Sequence, residues 1–396
     1  MLTALDFFAG SGLVRLGMSP VFETIWANDI SEKKSSVYRA NFPGDHFHLG
    51  DIKTIKGFDL PAADLAWASF PCQDLSLAGN LSGMTVGTRS GLFWEWIRVL
   101  TELQQQGKQP SVLVAENVVG FLIADGGKHF KEAYGALRNL GYRAGAIVMD
   151  AKEFVPQSRP RAFLVAVADG VSVEGLCQQH PSGPFHTQGL TRAAFRVDDP
   201  AWIWWSLPVP KGQVPKFADL CERDSVCSES SATDELLTML SPLNRKKLNA
   251  AIRMKRFFAG TAYRRTRPTE EGETIQRLEV RFDGVAGCLR TPNGGSSRQT
   301  VILVDGSNVR SRLMTVRECA RLMGAPDSFH VHGSYNDGYR AMGDAVAVPV
   351  TRWLTTHLLE PLAMRCRKSY SSDTAVSNTD LIRNASEPGP ETHVHA

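Results

Sequence analysis

The apolar positions of this chain fall into short runs set between more polar stretches, with turn residues at the ends of the runs. Leu2 to Phe8 is one such run; it leads through Ala9-Gly10-Ser11-Gly12 into a short apolar segment, Leu13 to Met18. A strand, a glycine turn and a helix open a nucleotide-type α/β unit, and glycines in the turn let the backbone approach a ligand closely. Thr24 to Ala27 predicts a second strand ending at Asn28-Asp29, and Ser31 to Asn41 a polar helix. Asp29 suits either a ribose hydroxyl pair or the cap of that helix. A third short segment, Phe47 to Gly50, ends at Asp51. The run Ala63 to Ser69 stops at Phe70-Pro71. A residue before proline is pushed to extended geometry, so this run reads as a buried strand and Cys72 opens the loop after it.

The Gly- and Ser-bearing stretch Ser76 to Ser90 lacks periodicity and predicts a mobile loop. A helix is expected from Gly91 to Gln106, then a strand, Ser111 to Ala115, that delivers Glu116-Asn117. A further helix, Lys128 to Leu140, precedes a strand from Arg143 to Met149; Gln157-Ser158-Arg159-Pro160-Arg161 leads into another, Ala162 to Ala168. Strands alternating with helices predict an α/β fold with a parallel sheet covered on both faces.

Near His180 the pattern changes. Pro181 to Pro215 carries several prolines and the cluster Trp202, Trp204 and Trp205, expected to form the core of a smaller domain rather than a stacking platform. Arg245 to Arg267 holds nine Lys/Arg and no Asp/Glu. Arg245 to Arg256 reads as a helix, and Arg264, Arg265 and Arg267 as a loop after it. A run this free of counter-charge is better read as a phosphate-binding surface, with Arg253 and Lys255 among the contacts, than as a solvated face. The polar loop Arg290 to Gln299 has side chains, Arg290 and Arg298 among them, that can reach base edges. Thr315 caps a helix at Val316, and Gly343-Asp344-Ala345-Val346 opens a last apolar helix ending near Met364. From Lys368 the chain has the composition of a disordered tail.

At 396 residues the chain can hold two domains. The net charge of +3 says less than its distribution. No apolar run reaches membrane-span length, and Asp6 breaks the N-terminal run, which therefore does not read as a signal peptide. Seven cysteines without C-x-x-C spacing argue against a disulfide framework and a structural zinc. A cytoplasmic, nucleoid-associated monomer without metal is the expectation.

A lone thiol after a strand is often a buried structural cysteine, but Cys72, Glu116 and the Arg159/Arg161 pair are expected at carboxyl ends of strands in one sheet, converging on one cleft. A thiol nucleophile, a carboxyl acid and guanidinium anchors suit an electron-poor heteroaromatic ring such as cytosine. Thiolate addition at C6, with an acid at N3, makes C5 able to take a methyl group. Glu116 must then stay protonated, which burial can arrange.

With these residues assembled, the chain resembles the cytosine-5 DNA methyltransferases of bacterial restriction-modification type. Asp6-Phe7-Phe8-Ala9-Gly10-Ser11-Gly12, Pro71-Cys72-Gln73, Glu116-Asn117-Val118, Gln157-Ser158-Arg159-Pro160-Arg161 and Arg317-Glu318-Cys319-Ala320-Arg321-Leu322-Met323 resemble five of the family's motifs, in its order. The resemblance implies a Rossmann-like S-adenosylmethionine-dependent methyltransferase domain over residues 1–182, completed by 313–365. A smaller target-recognition domain is inserted at 183–312, and 366–396 is a tail. It implies Cys72 as nucleophile, Glu116 at N3 and the exocyclic amine, Arg161 at O2, and Arg159 supporting Arg161 or a nearby phosphate. Phe8, Ala9, Gly10, Ser11, Gly12, Asp29, Asp51, Ile52, Pro71, Leu92, Asp344 and Val346 would surround the methyl donor, S-adenosyl-L-methionine. Duplex DNA is the implied substrate, the base is flipped, and a companion endonuclease is the implied functional partner. The insert of about 130 residues favours duplex DNA over tRNA, the alternative substrate. A non-catalytic DNA-binding relic would be expected to lack Cys72, Glu116 or Arg161. Two positions depart from the pattern. Asp344 stands where the family usually has Asn, and is expected to cap the helix that follows rather than face the donor's cationic groups. Cys288-Leu289 stands in place of a Thr-Leu pair.

Overall fold

The computed structural model describes residues 1–71, 91–268, 272–291 and 298–368. Cys72, the stretch expected as a mobile loop (76–90), most of the 290–299 loop and the tail beyond Lys368 lie outside these residues. The first part of the chain builds strands β1 (Leu2–Phe7), β2 (Phe22–Asp29), β3 (Phe47–Leu49), β4 (Leu65–Ser69), β5 (Val112–Val118), β6 (Tyr142–Asp150) and β7 (Pro160–Ala168). Helices α1 (Leu13–Met18), α2 (Glu32–Asn41), α3 (Leu92–Gln105) and α4 (Lys128–Asn139) lie between them. The strands read as near-continuous apolar runs because both sheet faces are covered; α3, for example, buries Phe93, Trp96, Val99, Leu100 and Leu103.

The sheet order is β3-β2-β1-β4-β5-β7-β6. Five strands run parallel, as expected, but β7 is antiparallel to both β5 and β6. The reason is the link. Residues 151–159 are too few for the crossover of a dozen or more residues that a parallel neighbour requires. This corrects the placement of the arginines as well. Arg159 and Arg161 stand at the start of β7, not at a carboxyl end, and the reversed direction brings that start to the ends of its neighbours. Arg161 is registered opposite Val118.

Next come β8 (Cys177–Gln178), α5 (Gln188–Val197), β9 (Trp204–Trp205), α6 (Phe217–Leu220), α7 (Ser230–Thr238), α8 (Pro242–Arg253), β10 (Phe257–Pro268), β11 (Thr274–Arg281), β12 (Thr300–Asp305) and β13 (Asn308–Leu313). The tryptophans are core residues, but of the large sheet. The Trp205 indole donates to the carbonyls of Gly145 (3.1 Å) and Val165 (3.2 Å), and Trp202 packs on Phe130 and Tyr134. A smaller core of its own begins only near Leu236, well after residue 183, where Leu236, Leu240 and Leu248 meet Ala262, Leu278, Val280, Ile302 and Val304. Its sheet is antiparallel, ordered β11-β10-β12-β13. Strand β12 joins the two cores by alternation: Val301 and Leu303 enter the large one, Ile302 and Val304 the small one. Arg264, Arg265 and Arg267 belong to β10 rather than to a loop, and Lys255 and Arg256 lie past the end of α8.

The chain ends with α9 (Val316–Leu322), α10 (Tyr335–Asp344) and α11 (Val348–Leu354). Helical structure continues through Lys368, beyond the expected start of the tail. Cys366 is buried in the core, and Arg367 pairs with Asp64 at 2.7 Å. Helix α11 packs on α1, where Gly17 leaves room for Thr351. Thr315 and Glu318 form a reciprocal cap on α9. Fully buried Glu318 also makes a two-pronged pair with Arg312 (2.6 and 2.7 Å) and accepts from the backbone of Glu222 (2.8 Å).

Replacing Glu318 by Ala strands the Arg312 charge, so urea unfolding should show a loss of about 3–5 kcal/mol. A loss below about 1 kcal/mol, typical of a surface pair, would contradict this reading.

Candidate active site

Strands β4 and β5 run side by side with Ser69 registered opposite Glu116. The Asn117 amide donates to the Phe70 carbonyl at 3.3 Å, tying the end of β4 to β5. The strand that leads into Pro71 and Cys72 therefore ends beside Glu116; Cys72 itself lies outside the described residues. The Glu116 carboxyl is only 6% exposed. One of its oxygens is 3.1 Å from Arg161 Nε. Burial pushes its pKa up, and the opposing pull of Arg161, Arg159 and the Ser69 hydroxyl does not cancel the rise. Glu116 is thus an acid biased toward holding its proton, with a guanidinium alongside.

Arg159 was expected to support Arg161 or a nearby phosphate. It is buried, and its two Nη atoms donate to Leu289 O (3.0 Å), Gly343 O (2.7 Å) and Ala345 O (2.6 Å), with Cys288 Sγ at 3.4 Å. Its fork joins three chain segments and presents no edge to a phosphate. Gln157 works the same joint: its Nε2 donates to Leu322 O (2.8 Å) and its Oε1 accepts from Leu289 N (3.1 Å). The Asp150 carboxylate holds the Arg159 backbone N–H at 2.6 Å. Burial alone would raise the Cys288 thiol, but the charges of Arg159, Arg161 and Arg290 bring it below its usual value.

At the ends of β1 and β2 a second set converges. Phe8 has a left-handed backbone (φ 58°), as has Gly10 (φ 56°). At Gly12 a side chain would strike Phe42 and Tyr38. Asp29 accepts from Gly10 N (2.9 Å) with one oxygen and from Ser31 N (2.7 Å) with the other. It bridges the glycine turn to the next segment, while Ser31 caps α2. Asn28 donates to Gly50 O (2.9 Å), bringing Asp51 close to Asp29. Asp51 caps a short turn through Lys53 N at 3.0 Å, next to buried Ile52. Ser11 reaches Ala341 O (3.2 Å), which ties the turn to α10. Ala9 and Val346 are buried, and Pro71 and Leu92 half-buried. Beneath the turn, burial raises Asp6 to about 8.

Asp344 does not cap the following helix. It is the last residue of α10, and Ala347 holds the cap position of α11. Its carboxylate pairs with Lys34 at 2.7 Å and accepts from the Thr291 hydroxyl. A negative charge at a helix C-terminus is unfavourable, and Lys34 offsets it. Arg290 is exposed beside Cys288 and Gln299, whereas Arg298 lies over the Tyr335 ring at 5.8 Å. Arg253 ends α8 and Lys255 lies in the turn before β10, at the end where Phe257 pairs with Asp305. Cys288 and Gln299 adjoin the other end, so those two cations are not brought to the site. Gln157 stands in one of the five motifs but was given no role. Lys34 and Asn28 went unidentified as site residues; their partners lie in distant segments, and nothing in their local sequence marks them.

A family model for C-5 cytosine-specific DNA methylases matches residues 2–360. Among curated relatives, the Type II methyltransferase M1.ScrFI of Lactococcus lactis subsp. cremoris is 27% identical over 90% of this chain and 78% of its own length. The Type II methyltransferase M.HhaI of Haemophilus parahaemolyticus is 26% identical over 90% of this chain and 94% of its own. Among solved structures, the S. pombe Dnmt2 methyltransferase superposes with a TM-score of 0.58 at 19% identity, covering 91% of this chain and 99% of that one. These likenesses agree with the Rossmann-like fold.

If Asp344 answers Lys34 rather than a helix start, Asp344→Asn and Lys34→Gln should be coupled. A double-mutant cycle by thermal unfolding should give an interaction of about 0.2–1 kcal/mol; strict additivity would remove the pair.

Proposed function

The chain belongs to the C-5 cytosine-specific DNA methylase family, and from that premise we propose that it methylates C5 of a cytosine within a specific duplex sequence. The observation that carries the proposal is the buried Glu116–Arg161 contact at the end of the strand leading to Cys72. The target atoms are unreachable inside a stacked duplex, so the base is flipped into this pocket. The Cys72 thiolate adds to C6 and forms a C–S bond. Glu116 hydrogen-bonds N3 and supplies the proton there, while Arg161 holds O2. The electron pair displaced toward C5 forms the new bond to the methyl carbon as that carbon's bond to sulfur breaks with its electrons left on sulfur, and the N3 proton returns to Glu116. Loss of the C5 proton to a base then expels the thiolate and restores the ring.

S-adenosylmethionine supplies an electrophilic methyl group when bound. The chain's residues suit it. The left-handed Phe8-to-Gly10 turn exposes backbone, and Asp29, with one lone pair used on each oxygen, retains acceptor capacity for ribose hydroxyls. Asp51 stands next along the sheet edge for the adenine amine, with Ile52, Leu92 and Val346 as apolar walls. The Type II relatives support a restriction-modification role, with a companion endonuclease that cuts unmethylated sites. No helix among the described residues is long and apolar enough to cross a membrane.

With methyl-labelled S-adenosylmethionine, the protein should label duplex DNA as 5-methyl-2′-deoxycytidine and leave tRNA unlabelled. Cys72→Ser should abolish transfer, because a hydroxyl is far less ionised than a thiol, and a 5-fluorocytosine duplex should trap a covalent adduct on Cys72. Full turnover by Cys72→Ser, or label in tRNA alone, would overturn the proposal.

A further inference from the structure

Strands β10 and β11 pair with Tyr263 opposite Glu279 and Arg265 opposite Arg277. Directly opposed residues share a face. One face therefore carries Tyr263, Arg265 and Arg267 from β10 with Arg277, Glu279 and Arg281 from β11. The other face, with Ala262, Leu278 and Val280, is buried against α8. On the basic face the arginines are not equivalent. Arg281 is paired with Asp283 at 2.6 Å, and Arg267 forks onto Glu279 through Nε and Nη2. Arg265 is held differently. Its guanidinium lies 4.7 Å from the Tyr263 ring centroid, and its Nε is 3.3 Å from the second Glu279 oxygen. Ring and carboxylate fix the plane of the fork, and neither Nη takes a partner among the described residues.

That fork lines a cavity with Tyr263, Cys288, Arg290 and Gln299. Gly287 lets the chain pass between Tyr263 and Gln299 without a side chain. The Gln299 Oε1 is a buried acceptor with no hydrogen-bond partner among the described residues. Cys288 touches Arg159, so this cavity adjoins the pocket of Glu116 and Arg161.

We propose that Arg265 determines sequence specificity by reading a guanine of the target site, its two Nη groups donating to O6 and N7 in the major groove. This rests on the duplex-DNA reading above. Two features favour a base edge over a phosphate. The fork is oriented in advance, as two-pronged guanine recognition requires. Glu279 stands beside it as a carboxylate; its pKa, raised by burial, is brought below the usual range by Arg267 and Arg265. That charge repels a phosphate far more strongly than an uncharged guanine edge.

The test is methylation of a randomised duplex library, with products sequenced for wild type, Arg265→Ala and Arg265→Lys. Wild type should require guanine at a fixed position near the modified cytosine. Arg265→Ala should lose about ten- to hundredfold of that preference at that position alone. Arg265→Lys keeps the charge but not the fork, and should relax the same position. Unchanged preference in both variants, or equal weakening at every position with a salt dependence shallower by about one unit, would overturn the assignment. These outcomes leave the wild type active, so they are distinct from failure of the functional reading, in which wild type labels no duplex at all.

Discussion

A carboxyl and a guanidinium 3.1 Å apart in a buried pocket set the terms for the rest of this molecule. Burial favours the protonated carboxyl and the guanidinium favours the ionised one, and burial prevails at Glu116. The contact exists only because β7 runs against β5, which puts the first residues of one strand at the last residues of the other. An all-parallel sheet would carry Arg161 to the opposite edge. The reversal thus places Glu116 and Arg161 at the edge where the glycine turn, Asp29 and Asp51 also lie.

The pocket is then locked from outside the sheet. Arg159 and Gln157 spend their hydrogen bonds on backbone groups of 289, 322, 343 and 345. Two residues from the stretch preceding β7 therefore hold the segment at 289 and the returning helices against the edge that carries Glu116 and Arg161. Ser11 to Ala341 and Asp344 to Lys34 make comparable links around the glycine turn and α2. The smaller sheet and the pocket of Glu116 and Arg161 are consequently parts of one hydrogen-bonded joint.

Much of this was legible in the chain. Buried parallel strands show as unbroken apolar runs, so β1, β4 and β5 could be read, and the helices at 13–18, 92–105 and 128–139 matched their apolar spacing closely. Thr315 announced its helix through cap chemistry, whereas at the second helix Ser31 holds the cap that Asp29 was offered for. Strand direction was not legible from composition, because a buried strand reads alike either way; only the short 151–159 link carried that information. The arginines of β10 read as a loop because that face of the strand is charged. Their counter-charge, Glu279, sits on the next strand, where no local count finds it. The tryptophans announced a core but not which one. The role of Asp344 depends on Lys34, more than 300 residues earlier in the sequence. At the site, Arg159, expected to support Arg161 or a nearby phosphate, is spent on backbone carbonyls of distant segments, because a motif does not show which groups already fill a fork.

The central claim is that Glu116 acts as a buried acid. Single-turnover methyl transfer measured against pH tests it most directly, in wild type and in Glu116→Gln. Because the folded pKa is raised, the protonated form is present at and below that pKa and is lost above it. The wild-type rate should therefore rise with formation of the thiolate and fall again as Glu116 ionises. Glu116→Gln should be slower by about 10²–10⁴-fold and lack the falling limb. An identical falling limb in Glu116→Gln, or an unchanged rate, would contradict the account.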